Sequence, residues 1–131
     1  MPNDLLCDEF QDIVAEVLIR HKSILDIITK LEESNARINR ALIKSVTSCG
    51  CISINAKKQE FKHESLKEAK NTIDNHLEGK MCDSCKEKIE EELGKHLFYI
   101  AALCNSLDLN FYDLIIKEYK KLNTLGIYTL R

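Results

Sequence analysis

The sequence predicts an all-α protein, a bundle of four to five helices, on three observations. Its 131 residues include only four Gly and one Pro, so few positions interrupt a helix. Apolar residues recur at spacings of three and four over much of the chain. The composition, 44% hydrophobic and 31% charged, is ordinary for a folded domain with a real core.

From Leu5 to Val46 no residue forbids helix. Leu6, Phe10, Ile13, Val17 and Leu18 form a first amphipathic stripe. Ser23 is placed to cap a second segment, with Asp26 three residues on as a capping-box partner. Ile24, Ile27, Ile28, Leu31, Ile38, Leu42 and Val46 carry that stripe onward. One bent helix and two separate ones fit the pattern equally. SCGCISINAKK, 48–58, breaks it and is expected to be loop. A thinner row at Leu66, Ala69, Ile73 and Leu77 predicts a helix over about 63–78, ended by Gly79 at positive φ. A strong helix follows over Asp83 to Leu107, with Ile89, Leu93, Leu97, Ile100, Leu103 and Leu107 on one face. Asn110, with Asp113 three residues on, is expected to cap a last helix from Phe111 to Leu122. The whole chain, 1–131, is read as a single helical domain with a cysteine-clipped loop at 48–58 and 80–86. The apolar rows of the second and fourth helices are wide enough to pack on a partner subunit, so a homodimer is expected.

Charge excludes one large class of function. The formal net charge is −2, with both signs interspersed, so no basic face marks a nucleic-acid partner. The start, MPNDLLCDEF, lacks a basic segment followed by a long apolar one. The most apolar run, LFYIAALC at 97–104, is too short to span a bilayer. The expectation is a cytoplasmic protein without a membrane partner, where paired cysteines act as metal ligands or redox groups more often than as structural disulfides.

Cys49 and Cys51 form a Cys-x-Cys, and Cys82 and Cys85 a Cys-x-x-Cys, each where a loop meets a strong helix. An antiparallel helix pair would bring the two junctions together. Four soft ligands in two short-spaced pairs suit tetrahedral zinc, so Cys49, Cys51, Cys82 and Cys85 are the candidate ligands of a structural zinc site. Redox pairs or disulfides suit the same spacings, and unconnected buried thiols are the third possibility. Cys7 and Cys104 lie on or beside apolar stripes and read as core. His21, His63, His76 and His96 are scattered and read as structural.

The stretch EELGKHLFYIAALCNSLDLNFYDLI, 91–115, resembles the second half of the MazG-like nucleoside triphosphate pyrophosphohydrolases. KLEESNARI at 30–38 is similar to that family's KLxEExxEL. The resemblance covers roughly 24–123 and implies a MazG-like all-α bundle, dimeric or larger. It also implies a catalytic Mg²⁺ held by acids of both motifs, where several oxygens converge on one hard cation. Carried over position by position, the ligands would be Ser34, Arg37, Glu92 and Lys95, of which one is a carboxylate. Sliding the first motif by one places Glu33 and Ala36 there instead. Glu33 and Glu92 are therefore the candidate catalytic carboxylates. Two expected acids are cations, which oppose Mg²⁺ binding by like-charge repulsion. Glu33 with Arg37 and Glu91 with Lys95 stand four apart in the order that favours helical ion pairs, and the charges around Glu87, Lys88 and Glu90 read as a solvated face.

Three functions follow from these residues. The first is a non-catalytic nucleotide-binding or protein-interaction module with a MazG-like fold and a four-cysteine zinc site. The second is an active, Mg-dependent pyrophosphohydrolase using Glu32, Glu33, Glu91 and Glu92 in an altered register. The third is a thiol-based metal or redox sensor. No glycine-rich phosphate loop is present.

Overall fold

In the computed structural model, residues 2–60 and 66–126 are described. They are mostly helical: α1 (Asn3–Val17), α2 (Ile24–Lys44), α3 (Leu66–Ala69), α4 (Asp83–Ser106) and α5 (Phe111–Leu125). Two short strands, β1 (Ile52–Ile54) and β2 (Leu77–Gly79), complete the described elements.

The first stripe is two helices, not one bent helix. The α1 helix ends at Val17, and Ser23 starts α2 by accepting a hydrogen bond on its hydroxyl from the Leu25 amide at 3.2 Å. Asp26 does not close a capping box; its carboxylate lies 3.7 Å from His21 Nδ1. Asn110 caps α5 as the sequence predicts, accepting from the Asp113 amide at 2.9 Å. The turn between α4 and α5 is tight because Asp108 takes a left-handed conformation at φ 56°, which aspartate tolerates better than most residues.

The core lies where α1, the start of α2 and the end of α4 converge. Val14, Ile27, Ala101 and Ala102 are buried there, with Phe10, Leu18, Leu31, Phe98 and Leu103 packed around them. The two alanines let α1 and α2 approach the α4 backbone closely. The α4 face expected to be buried is therefore only partly so. Leu93, Leu97 and Leu107 remain exposed, while Glu92, Ala101, Ala102 and Cys104 point inward.

Gln11, 8% exposed, ties α1 to the α4–α5 turn. Its side-chain amide donates to the Leu109 carbonyl at 2.7 Å, and its side-chain oxygen accepts from the Phe111 amide at 2.9 Å. Its own backbone carbonyl accepts from Asn105 Nδ2 at 3.0 Å. One side chain thus satisfies both a turn carbonyl and the first amide of α5, which has no partner within its own helix.

The middle of the chain departs from the predicted helix over 63–78. Residues 63–65 lie outside the described ones, Leu66–Ala69 is a single helical turn, and Leu77–Gly79 is a strand. That strand pairs antiparallel with β1, in the register Ile52 with Gly79, Ser53 with Glu78 and Ile54 with Leu77. The 48–58 segment is accordingly not all loop. Its first residues belong to a π-turn, Ser45–Cys49, and its centre is β1. His76, at φ 62°, turns the chain into β2, and its carbonyl accepts from the Asn55 amide at 2.8 Å. His76 is half-buried, and its Nδ1 accepts from the Lys57 amide at 3.1 Å, in keeping with a structural role.

Replacing Gln11 by Leu should lower unfolding stability by about 1 kcal/mol, since a part-buried carbonyl and amide lose their partner. Urea unfolding followed by circular dichroism measures this, and an unchanged midpoint would contradict the anchoring role.

Candidate metal centre

The β1–β2 pair explains how four distant cysteines meet. Cys51 directly precedes β1, and Cys82 follows β2 by three residues, so an antiparallel ladder sets the two cysteine pairs side by side. Helices α2 and α4 are also neighbours and run antiparallel, with Ile27 against Ala101, Ser34 against His96, and Cys49 against Cys82. Sequence reasoning placed the junctions together through the helix pair alone; the ribbon is the second device.

Local backbone shape aims the thiols. At the end of α2 the Gly50 amide donates to the Ser45 carbonyl at 2.9 Å, a five-residue closure that widens the last turn. Gly50, at φ 78°, then reverses the chain so that Cys49 and Cys51 face the same point. On the other side Cys82 occupies the N-cap of α4, and its sulfur accepts from the Cys85 amide at 3.5 Å. Gly79 permits the close approach of the strands. A Cβ there would stand 2.6 Å from the Cys51 carbonyl oxygen, and its φ is 91°.

All six cysteines are free thiols. The sulfurs of Cys49, Cys51, Cys82 and Cys85 lie within 4.8 Å of one another, and the four could hold a metal ion. The Cys49 and Cys82 sulfurs are 3.8 Å apart. Four sulfurs held at about 2.3 Å from a central zinc define a tetrahedron with edges of about 3.8 Å, so this spacing suits metal ligation and is far longer than a disulfide. The Cys85 amide, the Cys85 thiol and the Cys49 thiol together lower the Cys82 thiol to about 7, and the N-terminus of α4 favours a negative sulfur there. Cys85 is drawn down by the Ser45 hydroxyl, but Cys82, burial and Cys49 outweigh it and push the thiol up to about 12. Acceptance from the Cys51 backbone and the Cys85 thiol pull Cys49 down, yet the Cys82 and Cys51 thiols and burial leave it above the ordinary value. Without a cation the cluster carries one early thiolate; a cation is what draws off the other protons. Cys104 is buried and its thiol raised by that burial, in keeping with a core role, while Cys7 is half-buried.

The carboxylates are arranged differently. Ser34, Arg37, Glu92 and Lys95, the positions drawn from the family resemblance, do converge. They line a cavity of about 220 Å³ between α2 and α4, with Glu33 at its edge. Each acid there already has cations. Glu33 is bonded to Arg37 at 3.0 Å and to Lys30 at 3.2 Å, which hold its carboxyl below the usual range. Glu92, 2% exposed, meets Lys88 at 3.2 Å and Lys95 at 4.0 Å through Oε1. Lys95 thus turns to Glu92 and not to Glu91, the pairing its spacing predicts. Glu32 and Glu91 are exposed, and among the described residues the four thiols form the one group of three or more potential ligands that converges. Sequence reasoning placed Glu92 as a metal-ligand candidate but missed its burial. The legible signal was a Glu with lysines four before and three after it on one helix.

Compared with protein-family profiles, curated proteins and solved structures, the chain matches none.

Gly79→Ala should destabilise the fold by about 1–3 kcal/mol, through a strained φ and the contact with Cys51. The same change should weaken metal retention by parting the two cysteine pairs. Cobalt(II) titration followed by thiolate charge-transfer absorption reads the second effect; wild-type retention in a destabilised variant would contradict it. Acidification should release the metal. In the metal-free chain the Cys82 thiolate contributes stability that is full above the ordinary thiol value of 9.0 and is lost as pH falls through about 7. A bound cation competes with protons for all four thiolates and should hold them to lower pH, so a zinc-responsive dye should report release only below that window.

Proposed function

We propose that this protein is a divergent, MazG-like helical module, cytoplasmic and non-catalytic. In this reading a structural zinc held by Cys49, Cys51, Cys82 and Cys85 clips its helices together, and it acts by holding a nucleotide or a protein partner. The observation that carries the reading is the contrast between two sets of residues. Four thiols stand free and convergent, whereas the carboxylates that a magnesium enzyme would leave open are occupied by Lys30, Arg37, Lys88 and Lys95. A cation beside each acid opposes capture of a second, divalent one. The convergence of Ser34, Arg37, Glu92 and Lys95 on one cavity supports the register of the resemblance. No helix of the described residues is long and apolar enough to cross a membrane, and free thiols suit a reducing compartment.

A second copy of the chain is the proposed partner. Leu93 and Leu97, four apart and exposed on α4, are suited to that interface. Leu97→Glu should shift the protein toward monomer in light scattering after gel filtration; an unchanged mass would remove this strip from the interface.

The functional reading is tested on protein purified under reducing conditions. One zinc per chain by elemental analysis is expected, together with no magnesium-dependent release of pyrophosphate from nucleoside triphosphates. Turnover that needs magnesium and is lost in Glu92→Gln would overturn the non-catalytic assignment in favour of the hydrolase. A second reading, a thiol sensor, is favoured by the early-ionising Cys82 beside Cys49. It requires zinc occupancy that changes reversibly with mild oxidant.

A further inference from the structure

A cleft of about 670 Å³ runs between α2 and the first turns of α4, ending at Cys49 and Cys85. Its walls are cationic. Arg37, Arg40 and Lys44 project from α2 at intervals of three and four residues, which sets them on one face along about 10 Å of helix. Lys88 faces them from α4. Arg37 and Lys88 are engaged by Glu33 and Glu92. Among the described residues neither Arg40 nor Lys44 meets a carboxylate. Both therefore bring uncompensated positive charge to the cleft, beside the hydroxyls of Ser48 and Ser84.

The second observation is Glu92. Its side chain is 98% buried and lines this same cleft, yet its Oε2 has no hydrogen-bond partner among the described residues. A buried acceptor left unmatched is costly. Oε2 is itself closed off from solvent, so Glu92 offers the cleft no open acceptor and leaves recognition to the cations.

We propose that the α2–α4 cleft binds a small phosphorylated molecule directly, through Arg40 and Lys44, without a bridging divalent ion. The chemistry selects a phosphoryl group over a carboxylate. The arginine fork takes two oxygens, the lysine adds a point charge, and Ser48 and Ser84 offer further donors. Three oxygens and a charge near −2 use that set more fully than a carboxylate does. Glu92 repels phosphate and, held by Lys88 and Lys95, keeps the phosphoryl group toward Arg40 and Lys44. This deepens the ligand-binding part of the functional reading and rests on it. A competing use of the cations is to neutralise the four thiolates and their metal, since Cys49 and Cys85 border the same space.

Isothermal titration of the reduced, metal-loaded, full-length chain in low salt, with no magnesium added, separates these uses. The probes are sodium tripolyphosphate and ATP, which share the phosphoryl chemistry and differ in the donors attached to it. Saturable binding of one equivalent is expected, weakened roughly tenfold or more in Arg40→Gln/Lys44→Gln and unchanged in Lys121→Gln on α5. Both probes should bind, since the cations recognise the phosphoryl chain that the two share. Circular dichroism melts confirm that each variant is folded. No saturation by either probe at millimolar concentration, with zinc still bound, overturns the proposal while leaving the zinc-clip reading intact. Binding that requires magnesium overturns both. Unaltered anion affinity with faster metal loss in Arg40→Gln/Lys44→Gln assigns the cations to the metal centre and overturns it.

Discussion

A two-stranded ladder of three residues on each side holds the rest of this architecture in place. Neither strand has a core of its own, since only Ile52 of the six paired residues is buried, and an isolated two-stranded ribbon is marginal in water. The ribbon nevertheless fixes the distance between Cys51 and Cys82, and with it the approach of the α2 terminus to the start of α4. Four sulfurs within 4.8 Å, bound to one cation, would convert that marginal pairing into a cross-link. The ladder is weak alone, and a cation held by the four thiols would stabilise it.

The hydrophobic core sits at the opposite end. Val14, Ile27, Ala101 and Ala102 pack where α1 crosses the antiparallel pair, and Gln11 locks the α4–α5 turn onto that junction. Between the core and the thiols, α2 and α4 run side by side, and the buried positions there include the polar Ser34 and Glu92 beside Ala41, with Ser45 just beyond α2. A helix pair anchored at both ends and polar in the middle encloses space lined with charge. The cleft and the smaller cavity next to it occupy that stretch.

Helix boundaries were legible in the sequence wherever a cap announced them. Ser23 and Asn110 both accept the hydrogen bonds their positions predict, and α4 spans nearly the expected residues. The ribbon was not legible. ISI and LEG are too short to show a period of two, and the row Leu66, Ala69, Ile73 and Leu77 imitates a helix although only Ala69 of its described side chains is buried. Gly79 takes the positive φ its place after an apolar row suggests, but for close strand approach and not for ending a helix. The four thiols could be grouped because short spacing limits the geometry of each pair. The inward turn of Glu92 could not be read from periodicity, which records apolar faces and is silent when a helix buries a charge. The outward Leu93 and Leu97 are the other side of the same failure, for a leucine row reads as core whether this chain or a second copy covers it.

Zinc-edge X-ray absorption of the protein purified under reducing conditions tests the central claim most directly. The account predicts four sulfur scatterers at about 2.3 Å and no light-atom ligand in the inner shell. An inner shell dominated by oxygen or nitrogen would contradict it, and so would sulfurs paired at the disulfide length.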